Sequence, residues 1–183
     1  MTDAVQFDGS SGRHLVLVGL MGAGKTTVGQ RCAELLDRPF VDTDELVVAS
    51  AGVPFEAVWS AEGEQGFRLR ERLAVADAAA SPTPLVISCG GGAVVDADNR
   101  RALRATGVVV WLVASSAELA SRLVHDDSRP LLAGGDKTAT LERLGALREP
   151  AYEAAAHVQV QTDGRAPDDV AAAVMEEFRA WNG

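Results

Sequence analysis

Residues 14–36 place an apolar run, a glycine-rich turn and the start of an amphipathic helix one after another. His14-Leu15-Val16-Leu17-Val18 is a leucine and β-branched run of the kind that forms a strand buried on both faces. It leads into Gly19-Leu20-Met21-Gly22-Ala23-Gly24-Lys25-Thr26, a complete G-x-x-x-x-G-K-[ST] phosphate-binding loop. The glycines let the backbone curl so that successive N–H groups face inward, and the following helix adds its positive end. Lys25 would reach the β and γ phosphates, and the Thr26 hydroxyl could ligate Mg2+. Behind the loop Val28, Cys32, Leu35 and Leu36 recur at helical spacing. A strand before and a helix after separate this motif from an accidental glycine-rich turn. Gly22, Ala23, Gly24, Lys25, Thr26 and Thr27 are therefore expected to bind a nucleoside triphosphate.

The rest of the chain repeats the alternation. Short apolar runs at 39–41, 85–88, 108–113 and 158–161 read as strands, the last one less buried. Helical patterns fill 45–80 (broken near 52–54 and at Gly63), 96–105, 116–124, 140–156 (interrupted at Pro150) and 167–181. Strands alternating with helices imply right-handed crossovers and a parallel sheet covered on both faces. The fold class expected is thus a three-layer α/β/α sandwich with five parallel strands. Ligands collect at the carboxyl ends of such strands, where residues 19–26, 42–44 and 90–92 fall. Residues 1–12 read as a loose polar tail and 13–183 as one domain, which 183 residues suit.

Charge and cysteine usage narrow the function classes. With 17 basic and 26 acidic residues the net charge is −9, which disfavours nucleic acid and anionic membranes as partners. An anionic ligand must then be drawn in by local positive groups. Nearly all of these are arginines, because Lys25 and Lys137 are the only lysines. Cys32 and Cys89 fit no metal-ligand spacing and imply no oxidising compartment. The start shows no basic segment followed by an apolar run, and the run at 108–114 is far too short to span a bilayer. A soluble, cytoplasmic protein is expected.

Asp42 and Asp44 stand two residues apart at the end of the second strand, where they are expected to face alternate directions and so to divide two tasks. One carboxylate would hold a metal-bound water and the other would face an acceptor hydroxyl. Asp42 could equally cap a helix whose first turn carries Asp44 and Glu45. The order of motifs then becomes specific. After the phosphate loop come Phe40-Val41-Asp42-Thr43-Asp44, Gly63-Glu64-Gln65-Gly66-Phe67-Arg68, Gly90-Gly91-Gly92-Ala93-Val94, Arg129-Pro130-Leu131-Leu132 and Arg148-Glu149-Pro150-Ala151-Tyr152. In this order, over roughly 14–180, the chain resembles the shikimate kinase family.

That resemblance implies an adenylate-kinase-like sheet in the order 2-3-1-4-5, a monomer, and transfer of phosphate from ATP to the 3-hydroxyl of shikimate with Mg2+, feeding chorismate and aromatic amino acid synthesis. Asp44 would contact the acceptor hydroxyls as candidate base, with Asp42 and Thr26 serving the metal. Arg68 and Arg148 would clamp the shikimate carboxylate, a task suited to the planar arginine fork. Glu71 would orient Arg68. Gly90, Gly91 and Gly92 would offer backbone contact, with Phe67 and Trp59 as the apolar wall of a substrate-binding segment over 43–72. Arg122, Arg165 and Pro167 would flank the adenine. The polar segment 124–137 would be a lid carrying Arg129 onto the transferring phosphoryl group. Arg70 and Arg72 have a blander reading as a solvated helix face, and His125 and His157 as structural or solvated.

Overall fold

A computed structural model describes residues 12–124 and 136–181. The expected tail and lid, with Arg129 and His125, lie almost wholly outside the described residues. The elements are β1 (His14–Val18), α1 (Lys25–Leu36), β2 (Phe40–Asp42), α2 (Thr43–Ala51), α3 (Phe55–Ala79) and β3 (Val86–Ser88), then a 3-10 turn (Ala93–Val95) and α4 (Ala97–Thr106). β4 (Gly107–Val113), α5 (Ser116–Arg122), α6 (Lys137–Ala155), β5 (Val158–Gln161) and α7 (Pro167–Ala180) complete the chain. All four strand pairings are parallel and the sheet order is β2-β3-β1-β4-β5, as expected.

The apolar run of β1 is buried along its whole length because it lies mid-sheet with both faces covered. Alternation along the strand sends Leu15 and Leu17 to one core, with Val28 and Cys32 of α1 and Val174 and Phe178 of α7. Val16 and Val18 face the other, with Val75 and Ala79 of α3, Leu103 of α4 and Tyr152 of α6. A small third cluster joins Val47 of α2 to Val58, Phe67 and Ala74 of α3. This is the floor under the acceptor side of the site. Among the described residues no helix is long and apolar enough to cross a membrane.

One expected break does not occur. Helix α6 runs through Pro150 without interruption. Proline removes one backbone bond and crowds the preceding turn, at a cost of about 3 kcal/mol. Leu141, Leu144, Arg148, Tyr152 and Ala155 form a continuous buried stripe at spacings of three and four, so packing on both sides of Pro150 offsets that loss. Gly63, by contrast, leaves helical geometry at φ 66°, and α3 kinks there as its sequence suggests.

Candidate active site

The nucleotide side is built by β1 and α1. Gly22 and Gly24 take φ of 83° and 92°, conformations that side chains rarely adopt. Gly24 caps α1 without a side chain, so the first N–H groups of the helix face the loop unobstructed. Lys25 is buried, and its Nζ donates to the carbonyls of Gly19 (2.8 Å) and Leu20 (2.9 Å), arched back over the loop. The Thr26 hydroxyl donates to Oδ2 of Asp42 at 3.0 Å. From α5, Arg122 donates to the carbonyls of Gly22 (3.2 Å) and Thr162 (2.8 Å) and pairs with Glu118 at 3.0 Å. Arg165 bonds the Gln161 and Asp169 carbonyls just before Pro167 opens α7.

The acceptor side is built around the glycine run after β3. Gly90 N–H donates to the buried Thr43 hydroxyl at 2.9 Å, which ties the run to α2. A Cβ on Gly90 would stand 2.6 Å from Oε1 of Glu71 and would also strike Oδ1 of Asp44. Two carboxylates therefore close on one Cα. A Cβ on Gly92 would stand 2.5 Å from Nη2 of Arg68, whose guanidinium lies flat against that residue. Arg68 donates to Oε2 of Glu71 at 2.7 Å. Arg148, buried on α6, donates from Nη1 to the Gly91 carbonyl at 3.0 Å. Phe55, Trp59 and Phe67 form the apolar wall, with ring centroids 4.9 to 5.8 Å apart.

The electrostatics follow from this geometry. Burial pushes the Glu71 carboxyl up, Arg68 opposes that shift, and Asp44 pushes it further. One Glu71 oxygen, Oε1, is buried with no hydrogen-bond partner among the described residues. For Arg68, burial works against the charge, but Glu71 and Glu64 outweigh it and strengthen its hold on the proton. Cys89, buried just before the glycines, is pushed far up by burial first and then by Glu71, as an inert thiol should be.

Apart from Arg129, every candidate site residue lines one cavity of about 700 Å3, with the phosphate loop at one end and Arg68 and Arg148 at the other. One local expectation needs correcting. Asp42 and Asp44 do not alternate as strand residues, since positions two apart on a strand share a face. β2 ends at Asp42 and α2 begins at Thr43, so Asp42 caps the helix by accepting from the Asp44 N–H at 3.0 Å while Asp44 lies in its first turn. Capping and the bond to Thr26 use different oxygens of the same carboxylate. Arg70 and Arg72, read from the sequence as a solvated helix face, pair with Glu62 and Asp96. His157 accepts the Val109 N–H at 2.9 Å, a structural role. Sequence reasoning gave no role to Thr43, Phe55, Glu118, Tyr152 or Thr162; the helical spacing of Tyr152 from Arg148 was the one available signal.

Fold and cavity together define the class of protein: a P-loop kinase in which nucleotide and acceptor meet in one chamber. The family model for shikimate kinase matches residues 21–179. The chain belongs to the shikimate kinase family, and with it to the ATP-dependent kinases. It is 51% identical over 170 residues to a shikimate kinase of Symbiobacterium thermophilum, covering 91% of this chain and 96% of that one. The structure of a shikimate kinase from Acinetobacter baumannii in complex with shikimate superposes with a TM-score of 0.87 at 36% identity, covering 91% of this chain and 92% of the other. A gluconokinase from Sinorhizobium meliloti, at 24% identity and a TM-score of 0.62 over 92% of this chain and 94% of that one, shares the fold alone.

Proposed function

We propose that the chain transfers the γ-phosphoryl group of ATP to the 3-hydroxyl of shikimate, giving shikimate 3-phosphate and ADP. The supporting observation is the convergence of Arg68 of α3 and Arg148 of α6 on the glycines at 90–92, with Asp44 on the same run and the phosphate loop across the cavity. A ring that carries one carboxylate and several hydroxyls matches that set. Its carboxylate meets two planar guanidinium groups, its hydroxyls meet Asp44, and its carbon face meets Trp59 and Phe67. The position of a Gly91 Cβ lies 3.4 Å from the Met21 N of the loop and 3.5 Å from Nη1 of Arg148. Donor and acceptor sites therefore abut at Gly91, the closeness that direct transfer needs.

The loop amides, Lys25 and the start of α1 carry the charge of the β and γ phosphates. Arg122, Arg165 and Pro167 flank the base, and Thr27 belongs to the same phosphate cradle. The resemblance assigns Arg129 to the transferring group. Thr26 and Asp42 offer hard oxygen donors 3.0 Å apart beside the loop, a donor set suited to Mg2+. Bound there, Mg2+ would neutralise phosphate charge. Asp44 orients the acceptor hydroxyl and takes its proton as the new P–O bond forms. The family resemblance implies a monomer, and both free cysteines are buried, in keeping with a cytoplasmic protein.

Asp44→Ala tests this reading. Shikimate-dependent ADP release should fall at least about 1,000-fold, with ATP binding retained, because both hydroxyl orientation and proton acceptance are lost. Residual turnover within tenfold of the parent would overturn the assignment.

A further inference from the structure

The phenol of Tyr152 is buried and its hydroxyl donates to the Gly91 carbonyl at 2.5 Å. The same oxygen accepts Nη1 of Arg148 at 3.0 Å. Residues 148 and 152 are one helical turn apart on α6, so a single helix face delivers both donors to one acceptor. Trp111 of β4 stacks on the Tyr152 ring with centroids 5.3 Å apart and 25° between planes, and this fixes where the hydroxyl points. Burial raises the hydroxyl pKa to about 12, ahead of the opposing effects of Arg148 and Arg68 and of a further rise from Glu71, so it remains a donor at neutral pH.

Backbone geometry turns this contact into a statement about the acceptor. A trans peptide unit is planar, and its C=O and N–H point in opposite directions. The Gly91 carbonyl and the Gly92 N–H belong to one such unit. Anchoring the carbonyl on α6 fixes the plane of that unit, and Gly92 lines the cavity against the Arg68 guanidinium. The rest of the run is held separately: Gly90 N–H on Thr43, the Gly90 carbonyl on Ala93 N–H, and the Gly92 carbonyl on Val95 N–H. No protein acceptor meets the Gly92 N–H among the described residues. The geometry points to Tyr152 as a positioning residue for the acceptor carboxylate: its hydroxyl fixes the Gly91 carbonyl on which the Arg148 guanidinium rests, and with it the placement of that guanidinium in the cavity.

This inference rests on the proposed shikimate reaction, and the test separates the two. Wild-type turnover on shikimate tests the reaction, whereas the ratio of Tyr152→Phe to wild type tests the positioning. Phenylalanine keeps the ring on Trp111 and removes only the hydroxyl. Losing one net hydrogen bond corresponds to a factor of about 3 to 10. The KM for shikimate, and its dissociation constant by titration calorimetry without nucleotide, should rise about that much, while the KM for ATP stays at its wild-type value and the Tm falls by only a few degrees, as the loss of one hydrogen bond implies. Unchanged shikimate affinity would overturn the inference. So would a parallel loss of ATP affinity and Tm, which would make the hydroxyl a fold-holding group only. If Tyr152→Phe does not fold, Trp111→Phe loosens the same ring and is read by the same split between the two KM values.

Discussion

Gly90→Ala is a sharp perturbation because Gly90 does not take a positive φ, so alanine is tolerated by the backbone and only the new methyl group acts. That methyl would stand 2.6 Å from Oε1 of Glu71, where ordinary contact begins near 3.4 Å, and it would also overlap the Asp44 carboxylate. Both carboxylates must retreat, Glu71 by about 0.8 Å and Asp44 by slightly more. Glu71 cannot retreat freely, since its other oxygen holds Arg68 at 2.7 Å and the side chain is 2% exposed. The displacement therefore falls on Asp44, the group that orients the acceptor hydroxyl, and on Arg68 through Glu71. A misplacement near 1 Å costs on the order of 100-fold in rate, or about 2.7 kcal/mol of transition-state stabilisation. The assay is kcat/KM for shikimate beside an ATP dissociation constant and a Tm. The expected result is a loss of about 100-fold in the first with the other two near wild type. Turnover within threefold of wild type would refute the crowding argument, and collapse of all three would show that the methyl disrupts the fold instead.

Arg68→Lys should raise the KM for shikimate on the order of tenfold with ATP affinity unchanged, since an ammonium cannot contact Glu71 and a carboxylate with one planar fork; an unchanged KM would remove Arg68 from the acceptor site. His14 and His157 each accept a backbone N–H at Nδ1, from Leu85 (3.0 Å) and Val109 (2.9 Å), and burial is the main cause holding both below 6.5. A lowered folded-state pKa means that the unfolded chain takes up the proton first, so their contribution is complete above pH 6.5 and is lost as pH falls from there toward the lowered folded values. Urea midpoints should therefore drop from pH 7 to pH 5.5, and a flat profile would contradict the burial argument.

The strand, glycine turn and helix of the phosphate loop were legible in the sequence because they are contiguous, following one another over residues 14–36. The sheet was legible because alternating apolar runs and helical patterns admit few topologies. Arg68 and Arg148 were reachable only through their motif surroundings, because charged helical residues ordinarily face water. Tyr152 and Thr43 escaped assignment for a different reason. Their partners, Gly91 and Gly90, stand 61 and 47 residues away, and local spacing does not encode such pairings. The continuity of α6 through Pro150 was hidden for the same reason, since a local rule was overridden by the buried face on either side. At Asp42 and Asp44 the helix-capping alternative was already visible in the acidic first turn, and the structure joins it to the bond with Thr26 instead of choosing between them.

The central claim is that nucleotide and a carboxylate-bearing polyol react in one chamber. It is tested most directly by following ADP release from Mg-ATP with the purified protein in three arms: shikimate, gluconate and no acceptor. The account predicts release that depends on shikimate, with the gluconate arm at the level of no acceptor. Equal release in all three arms, or ATP binding without release in any of them, would contradict it.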